Sequence, residues 1–338
     1  MDKQVIFGQN KILNHPEKIN EWLRNGDKTL ITVEIDMINN CNNRCPKCIG
    51  WMGKKGKEYL IEKEAKYYLS QLRKLGARGI IFTGGGEPLM NKDTLKIVEF
   101  AKRIGFDIGF ISNGLLLNKE AALIILKNCI WCRISLDAGC KEMRIATHGL
   151  DDFEVVVKNI EMICKLKKKL KSKCTLGTGY LTGTNTIPGM EEFVKLSKKL
   201  GVDYAQLRPF HNDKNNINED YFRFKKKYSD ENFEVVASIQ KYSRYSDEKE
   251  RPYSKCYGVN FTTVVAANAD MYICCHMRGY KKYSLGNLRE KSMIEIWKNK
   301  EEIFQKINFK DCPPFCRCDE FNRVLFEIKK KKKHINFL

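Results

Sequence analysis

Short apolar bursts alternate with longer amphipathic stretches from about residue 30 to residue 208. Leu30–Met37 reads as a buried strand. Glu62–Leu75 reads as a helix, because Ala65, Tyr68, Leu69 and Leu72 fall on one face at a 3.6-residue period. Gly79–Phe82 is a short apolar strand running into glycines. Lys92–Ile104 is helical, Asp107–Ile111 a strand, Lys119–Leu126 a helix and Trp131–Leu136 a strand. Asp151 followed by Glu154 has the form of a capping box with Asp in place of Ser or Thr. Behind it Phe153, Val156, Val157, Ile160, Ile163 and Cys164 keep helical spacing. Cys174–Leu181 and Tyr204–Leu207 are two further strands, with a helix over Glu191–Leu200 between them. About six strand–helix units in succession predict an α/β fold with a parallel sheet, either open or closed into a full or partial barrel.

The pattern changes beyond residue 210. Residues 211–254 are rich in charge and Tyr and read as a linker with helix. Residues 255–318 hold six Cys, short strands over Phe261–Ala266 and Met271–Cys274, and an amphipathic helix over Ser292–Ile307. The expected organisation is an N-terminal extension (1–29), a core (30–210), the linker (211–254), a small α+β unit (255–320) and a C-terminal helix with a basic tail (321–338).

With 338 residues, 43% of them hydrophobic, the chain can bury a sizeable core. Its start, MDKQVIFGQN, lacks the apolar centre of a signal peptide, and no apolar run approaches about twenty residues. A cytoplasmic chain without a membrane span is expected. Its fourteen Cys would then stay reduced, and clustered thiols point to metal or catalysis rather than disulfides. The formal charge is +20, with Lys runs at Lys167–Lys169 and Lys329–Lys333. Such runs could contact nucleic acid. They are not interleaved with aromatics, so a solvated surface is the simpler reading.

Two cysteine groups carry the chemistry. Cys41-Asn-Asn-Arg-Cys45-Pro-Lys-Cys48 follows the first strand at once. Iron–sulfur clusters are normally held by four Cys. Three here, with no fourth nearby, leave one iron open, which is what a reactive metal site needs. The competing reading is zinc with a distant fourth ligand, although His15 is the only His close by. In the second group Cys256 is followed by Cys274 and Cys275, then by Cys312, Cys316 and Cys318. A zinc-ribbon-like staple competes there. Cys129, Cys132, Cys140, Cys164 and Cys174 sit at core or turn positions and read as small hydrophobes.

The Cys-x3-Cys-x2-Cys triplet after the first strand resembles the hallmark of the radical S-adenosylmethionine (SAM) superfamily. Thr83-Gly84-Gly85-Gly86-Glu87-Pro88 is similar to that family's Gly-Gly-Glu-Pro element. The second group, with Ser284-Leu285-Gly286-Asn287-Leu288 and Ile294-Glu295-Ile296-Trp297 between its Cys, resembles the SPASM or twitch extension. Ala269 stands where that pattern has Gly. The resemblance implies a partial (β/α)6 TIM-type barrel with a small C-terminal α+β auxiliary iron–sulfur domain. It implies a SAM-binding 4Fe–4S cluster on Cys41, Cys45 and Cys48. SAM or substrate contacts would come from Gly84, Gly85, Gly86, Glu87, Ser112, Asn113, Ser135 and Asp137, with Glu87 accepting from an ammonium group. One auxiliary 4Fe–4S cluster would sit on Cys256, Cys274, Cys312 and Cys316, with Cys318 able to replace one of the last two. Cys275 would point away from Cys274. His276 and Arg278 could meet an anionic or polar substrate. Lys47 departs from the family, which has an aromatic or apolar residue before the third Cys; Trp51 is the nearby aromatic that would substitute.

The expected activity is reductive cleavage of SAM and hydrogen abstraction from a substrate, with flavodoxin or ferredoxin as electron donor. The segment before the first strand is too short for a peptide-recognition domain, which favours a small molecule such as a sugar, aminocyclitol or nucleoside. A maturase acting on a ribosomally made peptide is the alternative, and a zinc-containing nucleic-acid-binding protein a further one.

Overall fold

In the computed structural model ten strands form one sheet, in the order β10-β9-β8-β1-β2-β3-β4-β5-β6-β7. The residues described are 9–48, 56–210, 217–238, 241–242, 251–313, 316–330 and 333. The strands are β1 Thr32–Asp36, β2 Gly79–Thr83, β3 Asp107–Ser112, β4 Trp131–Ser135, β5 Thr175–Thr182, β6 Tyr204–Pro209, β7 Glu234–Ala237, β8 Thr262–Val265, β9 Asp270–Tyr272 and β10 Ser284–Asn287. β1 to β7 pair in parallel, and β8 joins the free edge of β1, also in parallel. β9 and β10 complete the sheet as antiparallel strands. The sheet is a partial, open TIM-type barrel, as expected.

The helices are α1 Pro16–Leu23, α2 Glu62–Lys74, α3 Thr94–Arg103, α4 Lys119–Asn128, α5 Lys141–His148, α6 Phe153–Leu170, α7 Met190–Leu200, α8 Asn218–Tyr228, α9 Met293–Lys298, α10 Lys300–Gln305 and α11 Asp319–Lys329. Side chains on a strand alternate between faces. One face of the sheet presents Val33, Ile35, Ile80, Phe82, Ile108, Phe110, Ile134 and Leu207, and these are buried with helix residues such as Leu69, Ile97, Ile125, Ile160 and Phe193 in the main core. No described helix is long and apolar enough to cross a membrane.

All six strands read between residues 30 and 208 are present. Four elements were not legible: α1, α5, β7 and β10. β7 lies in the segment read as linker and extends the sheet beyond β6. The helix expected over Ser292–Ile307 is two helices broken at Asn299, whose φ of −93° and ψ of 10° leave the helical region. Each half is anchored separately. Trp297 Nε1 donates to the Asp27 carbonyl at 2.9 Å and Lys300 Nζ to Asp27 Oδ1 at 3.2 Å.

Candidate active site at the strand C-termini

The loop Asn40–Cys48 leaves the C-terminal end of β1, the edge where barrel folds place their chemistry. Its backbone and its asparagines moor it. The Asn40 carbonyl accepts from the Glu87 amide at 3.0 Å, and the Arg44 amide donates to the His148 carbonyl at 2.8 Å. Asn113 Nδ2 donates to Asn42 Oδ1 at 2.6 Å, and Asn43 Nδ2 to Asp152 Oδ2 at 3.1 Å. The loop is thereby tied to the ends of β2 and β3 and to the turn before α6. Gly86 permits the closest of these approaches, since a Cβ there would lie 2.0 Å from the Asn40 carbonyl oxygen. Gly84 has φ +153°, a conformation open to glycine.

All fourteen Cys are free thiols. Burial pushes the Cys45 thiol up to about 12, and neighbouring Cys48, Asp137 and Cys41 act in the same direction. Among the described residues these three soft sulfur donors share one loop with no fourth beside them, an arrangement compatible with a thiolate-held iron–sulfur cluster that keeps one iron open. Among the described residues no three His, Cys, Asp or Glu side chains converge on the position of a single metal ion. Lys47 reaches the end of β6, its ammonium 4.7 Å from the Phe210 ring centroid. Trp51 lies outside the described residues.

Glu87 is buried and faces inward to the protein. Its carboxylate accepts from Ser112 Oγ at 2.8 Å, the Asn113 amide at 2.8 Å and the Leu89 amide at 3.2 Å. Burial raises its carboxyl against these bonds. Most of its acceptor capacity therefore locks β2 to β3, a different duty from the ammonium contact expected of it. Ser112 Oγ also accepts from the Gly114 amide at 3.0 Å. Asp137, at φ +48°, accepts from the Leu181 amide through Oδ1 at 2.6 Å, which joins β4 to β5.

Arg144, absent from the sequence reading, is the centre of this edge. It is fully buried and all five of its N–H donors are placed. Nε and Nη2 grip Asp152 at 2.7 and 3.0 Å, Nη1 donates to the carbonyls of Ser135 and Leu136 at 2.8 and 3.1 Å, and Nη2 to that of Asn113 at 3.2 Å. The helix start read at Asp151 moves by one residue as a result. Asp152 precedes α6 but makes no side-chain cap, because its carboxylate belongs to Arg144 and Asn43. Next to it His148 is buried, and burial, then Arg144, holds its imidazole down at about 3.

The second face of the sheet is polar. Strand register aligns Glu34 with Ile81, Gly109 and Trp131, and Arg133 with Gly177 and Tyr204. Two residues further along lie Asp36, Ser135, Gly179 and Gln206, and then Arg208. Glycines make room for the large residues. A Cβ on Gly109 would lie 2.2 Å from the Trp131 indole, and one on Gly177 the same distance from the Tyr204 ring. The β1 carboxylates are matched by arginines of the C-terminal segment. Arg278 lies 2.6 Å from Asp36 and 3.0 Å from Glu34, and Arg317 also pairs with Glu34. Arg278 is thus engaged within the protein. Burial still drives the Asp36 carboxyl up to about 6.

The structure also gathers the second cysteine group. Cys256, Cys274 and Cys312 share an apolar cluster with Val259, Met277 and Tyr283. Cys316 and Cys318 are electrostatic neighbours of Cys256, and the Cys318 thiol donates to Cys316, which lowers the one and raises the other. Five thiols are therefore brought together where four were assigned. Cys275 turns to the other side, against Val264, Ala266 and Tyr272. The His276 ring accepts from the Arg317 amide at 3.3 Å. Ala269, in the glycine position, has φ +68°. An L-residue there costs roughly 1–2 kcal/mol, and burial of its methyl offsets about 0.8 kcal/mol.

Residues 35–185 match the family model described as the radical SAM superfamily, and residues 256–319 match the SPASM model, described as an iron–sulfur cluster-binding domain. Among curated proteins, one named probable GTP 3′,8-cyclase from Saccharolobus solfataricus is 26% identical over 186 residues. That match covers 54% of this chain, which spans 58% of the relative's length. The mycofactocin maturase MftC of Mycobacterium ulcerans is 26% identical over 142 residues, 42% of this chain and 38% of that protein. The crystal structure of Streptococcus suis SuiB superposes with a TM-score of 0.66 at 14% identity, covering 95% of this chain and 79% of that one. SuiB is also seen bound to its precursor peptide SuiA and to S-adenosylmethionine.

Proposed function

The chain belongs to the radical SAM superfamily and carries a SPASM domain, and on that premise we propose that it reductively cleaves SAM and abstracts a hydrogen atom from a small-molecule substrate. Radical SAM cores bind a 4Fe–4S cluster and SAM, and SPASM domains bind auxiliary iron–sulfur clusters. The observation that carries the proposal is the Cys41, Cys45 and Cys48 loop moored to the ends of β2 and β3.

When bound, the cluster supplies one electron to SAM, whose cleavage gives methionine and a 5′-deoxyadenosyl radical. Everything else falls to this chain's residues. Cys41, Cys45 and Cys48 would hold the cluster, and the backbone of Gly84–Gly86 would allow SAM to lie close. Asn113 would mark the amino-acid end of SAM, since its amide group already reaches Cys41 Sγ at 3.8 Å. Arg144 and Glu87 act behind these groups and fix the strand ends on which they stand. Cys256, Cys274 and Cys312 would hold the auxiliary cluster, with Cys316 as fourth ligand.

The relation to a named GTP 3′,8-cyclase supports a small-molecule substrate. The relation to the maturase MftC supports a second reading, modification of a peptide. The test is anaerobic reconstitution followed by SAM and a reductant, with 5′-deoxyadenosine read by mass spectrometry. Wild-type protein should carry about eight iron atoms, two cubes of four, and form 5′-deoxyadenosine. Cys45→Ala should retain the auxiliary iron and form none; a Cys45→Ala protein that still cleaves SAM sinks the assignment.

A further inference from the structure

The polar face of the sheet carries an imbalance that the cluster chemistry does not use. Its two β1 carboxylates, Glu34 and Asp36, are already matched by Arg278 and Arg317. Across the face stand Arg133 on β4 and Arg208 on β6. Among the described residues neither has a carboxylate within ion-pairing distance.

These two guanidinium groups are close together. The point where a Cβ of residue 179 would lie is 3.3 Å from Arg208 Nη2 and 3.6 Å from Arg133 Nε. The two nitrogens are therefore less than about 7 Å apart, and Gly179, lacking a Cβ, lets both side chains pack against β5. Arg133 Nη1 donates to Gln206 Oε1 at 2.7 Å, which steadies its plane. Among the described residues the buried Nε atoms of both arginines have no hydrogen-bond partner. The nearest acid, Asp137, is felt by both arginines as an opposite charge but lies beyond ion-pairing distance; its Oδ1 accepts from the Leu181 amide, and Oδ2 faces His148 Nε2 at 3.6 Å.

Two like charges on a half-buried wall are unfavourable without a counter-charge in contact. Burial and the Arg208 charge together hold the Arg133 guanidinium down at about 9. Paired guanidinium forks with unused N–H donors suit a planar or tetrahedral oxyanion, which accepts several bonds at once. We infer that Arg133 and Arg208 form an oxyanion-binding subsite, and that the substrate attacked at this site carries a phosphate or carboxylate which they hold. The inference rests on the proposed radical SAM chemistry only for the word substrate; the anion site itself is measured without turnover.

The test is calorimetric titration of reconstituted protein with inorganic phosphate and, separately, acetate, with and without saturating SAM. Wild-type protein should bind one of the two anions in both conditions. Arg133→Gln and Arg208→Gln should each weaken that binding at least tenfold, and Arg208→Lys should restore part of it. Phosphate binding alone assigns a phosphorylated substrate, and acetate binding alone a carboxylated one. Absence of binding of either anion up to about 10 mM, or equal binding by wild type and the double variant, overturns the inference. So does anion binding that SAM abolishes, with SAM affinity falling in the variants, because the pair would then belong to the SAM carboxylate. Should the variants not fold, modification of wild-type protein by phenylglyoxal is decisive: phosphate or acetate should protect Arg133 and Arg208, and unprotected modification overturns the site. SAM cleavage by wild-type protein is scored separately, so the two proposals fail independently.

Discussion

At the scale of single residues, the edge of the sheet depends on titratable groups buried out of reach of water. His148 is one of them, neutral and held at about 3, below the ordinary value near 6.5. Its folded value lies below its unfolded one, so on acidification the unfolded chain takes up a proton that the folded chain refuses. The associated stability is present above pH 6.5 and is lost as pH falls toward 3. The slope is roughly 1.4 kcal/mol per pH unit, about 2 kcal/mol between pH 6.5 and 5. Urea unfolding at pH 7 and pH 5 should therefore show a loss in the wild type that is mostly absent in His148→Gln. Equal losses in the two proteins would remove His148 from the account. Neither His148 nor Arg144 was legible in the sequence. Residues 141–148 offer no long apolar stripe, and nothing in the order of residues says that Arg144 will meet three carbonyls from two strand ends. Asp152 was visible only as part of a helix start, because capping and ion pairing use the same residue type.

At the scale of elements, the cysteine triplet and the glycine turn were legible because both are local in sequence. Their meeting was not: a Cβ on Gly86 would strike the carbonyl of Asn40, a residue on another connection. Gly86→Ala should force the cysteine loop outward, since the clash is with backbone, which yields less than a side chain. The expected result is lower iron incorporation at the first site with the auxiliary iron retained, read by iron analysis and Mössbauer spectroscopy. Full loading would show that the turn can relax. The polar face had a readable signal that was passed over. Arg133 lies between Cys132 and Ile134, and Glu34 between Val33 and Ile35, so charges alternate with apolar residues on strands that a parallel sheet buries. Charge at a period of two on such a strand marks an interior surface built for something other than packing.

At the scale of the whole molecule, the two cysteine groups share one sheet. β8 pairs along the edge of β1 that β2 leaves free, and four of its residues are in register with it. Without the C-terminal segment, β1 would be an edge strand, with Glu34 and Asp36 deprived of Arg278 and Arg317. A chain cut after Glu250 should aggregate, by light scattering, as unpaired edges do. A monodisperse product would show that the first half stands without its neighbour. Strand–helix alternation gave the core, but the docking of β8 on β1 joins residues more than two hundred positions apart, and no local pattern encodes that. The loop that carries Cys41, Cys45 and Cys48 is moored by hydrogen bonds of Asn40, Asn42, Asn43 and Arg44. The mould is thus cut in polypeptide, and its outline should outlast an exchange of any one of the three thiol side chains for a methyl group.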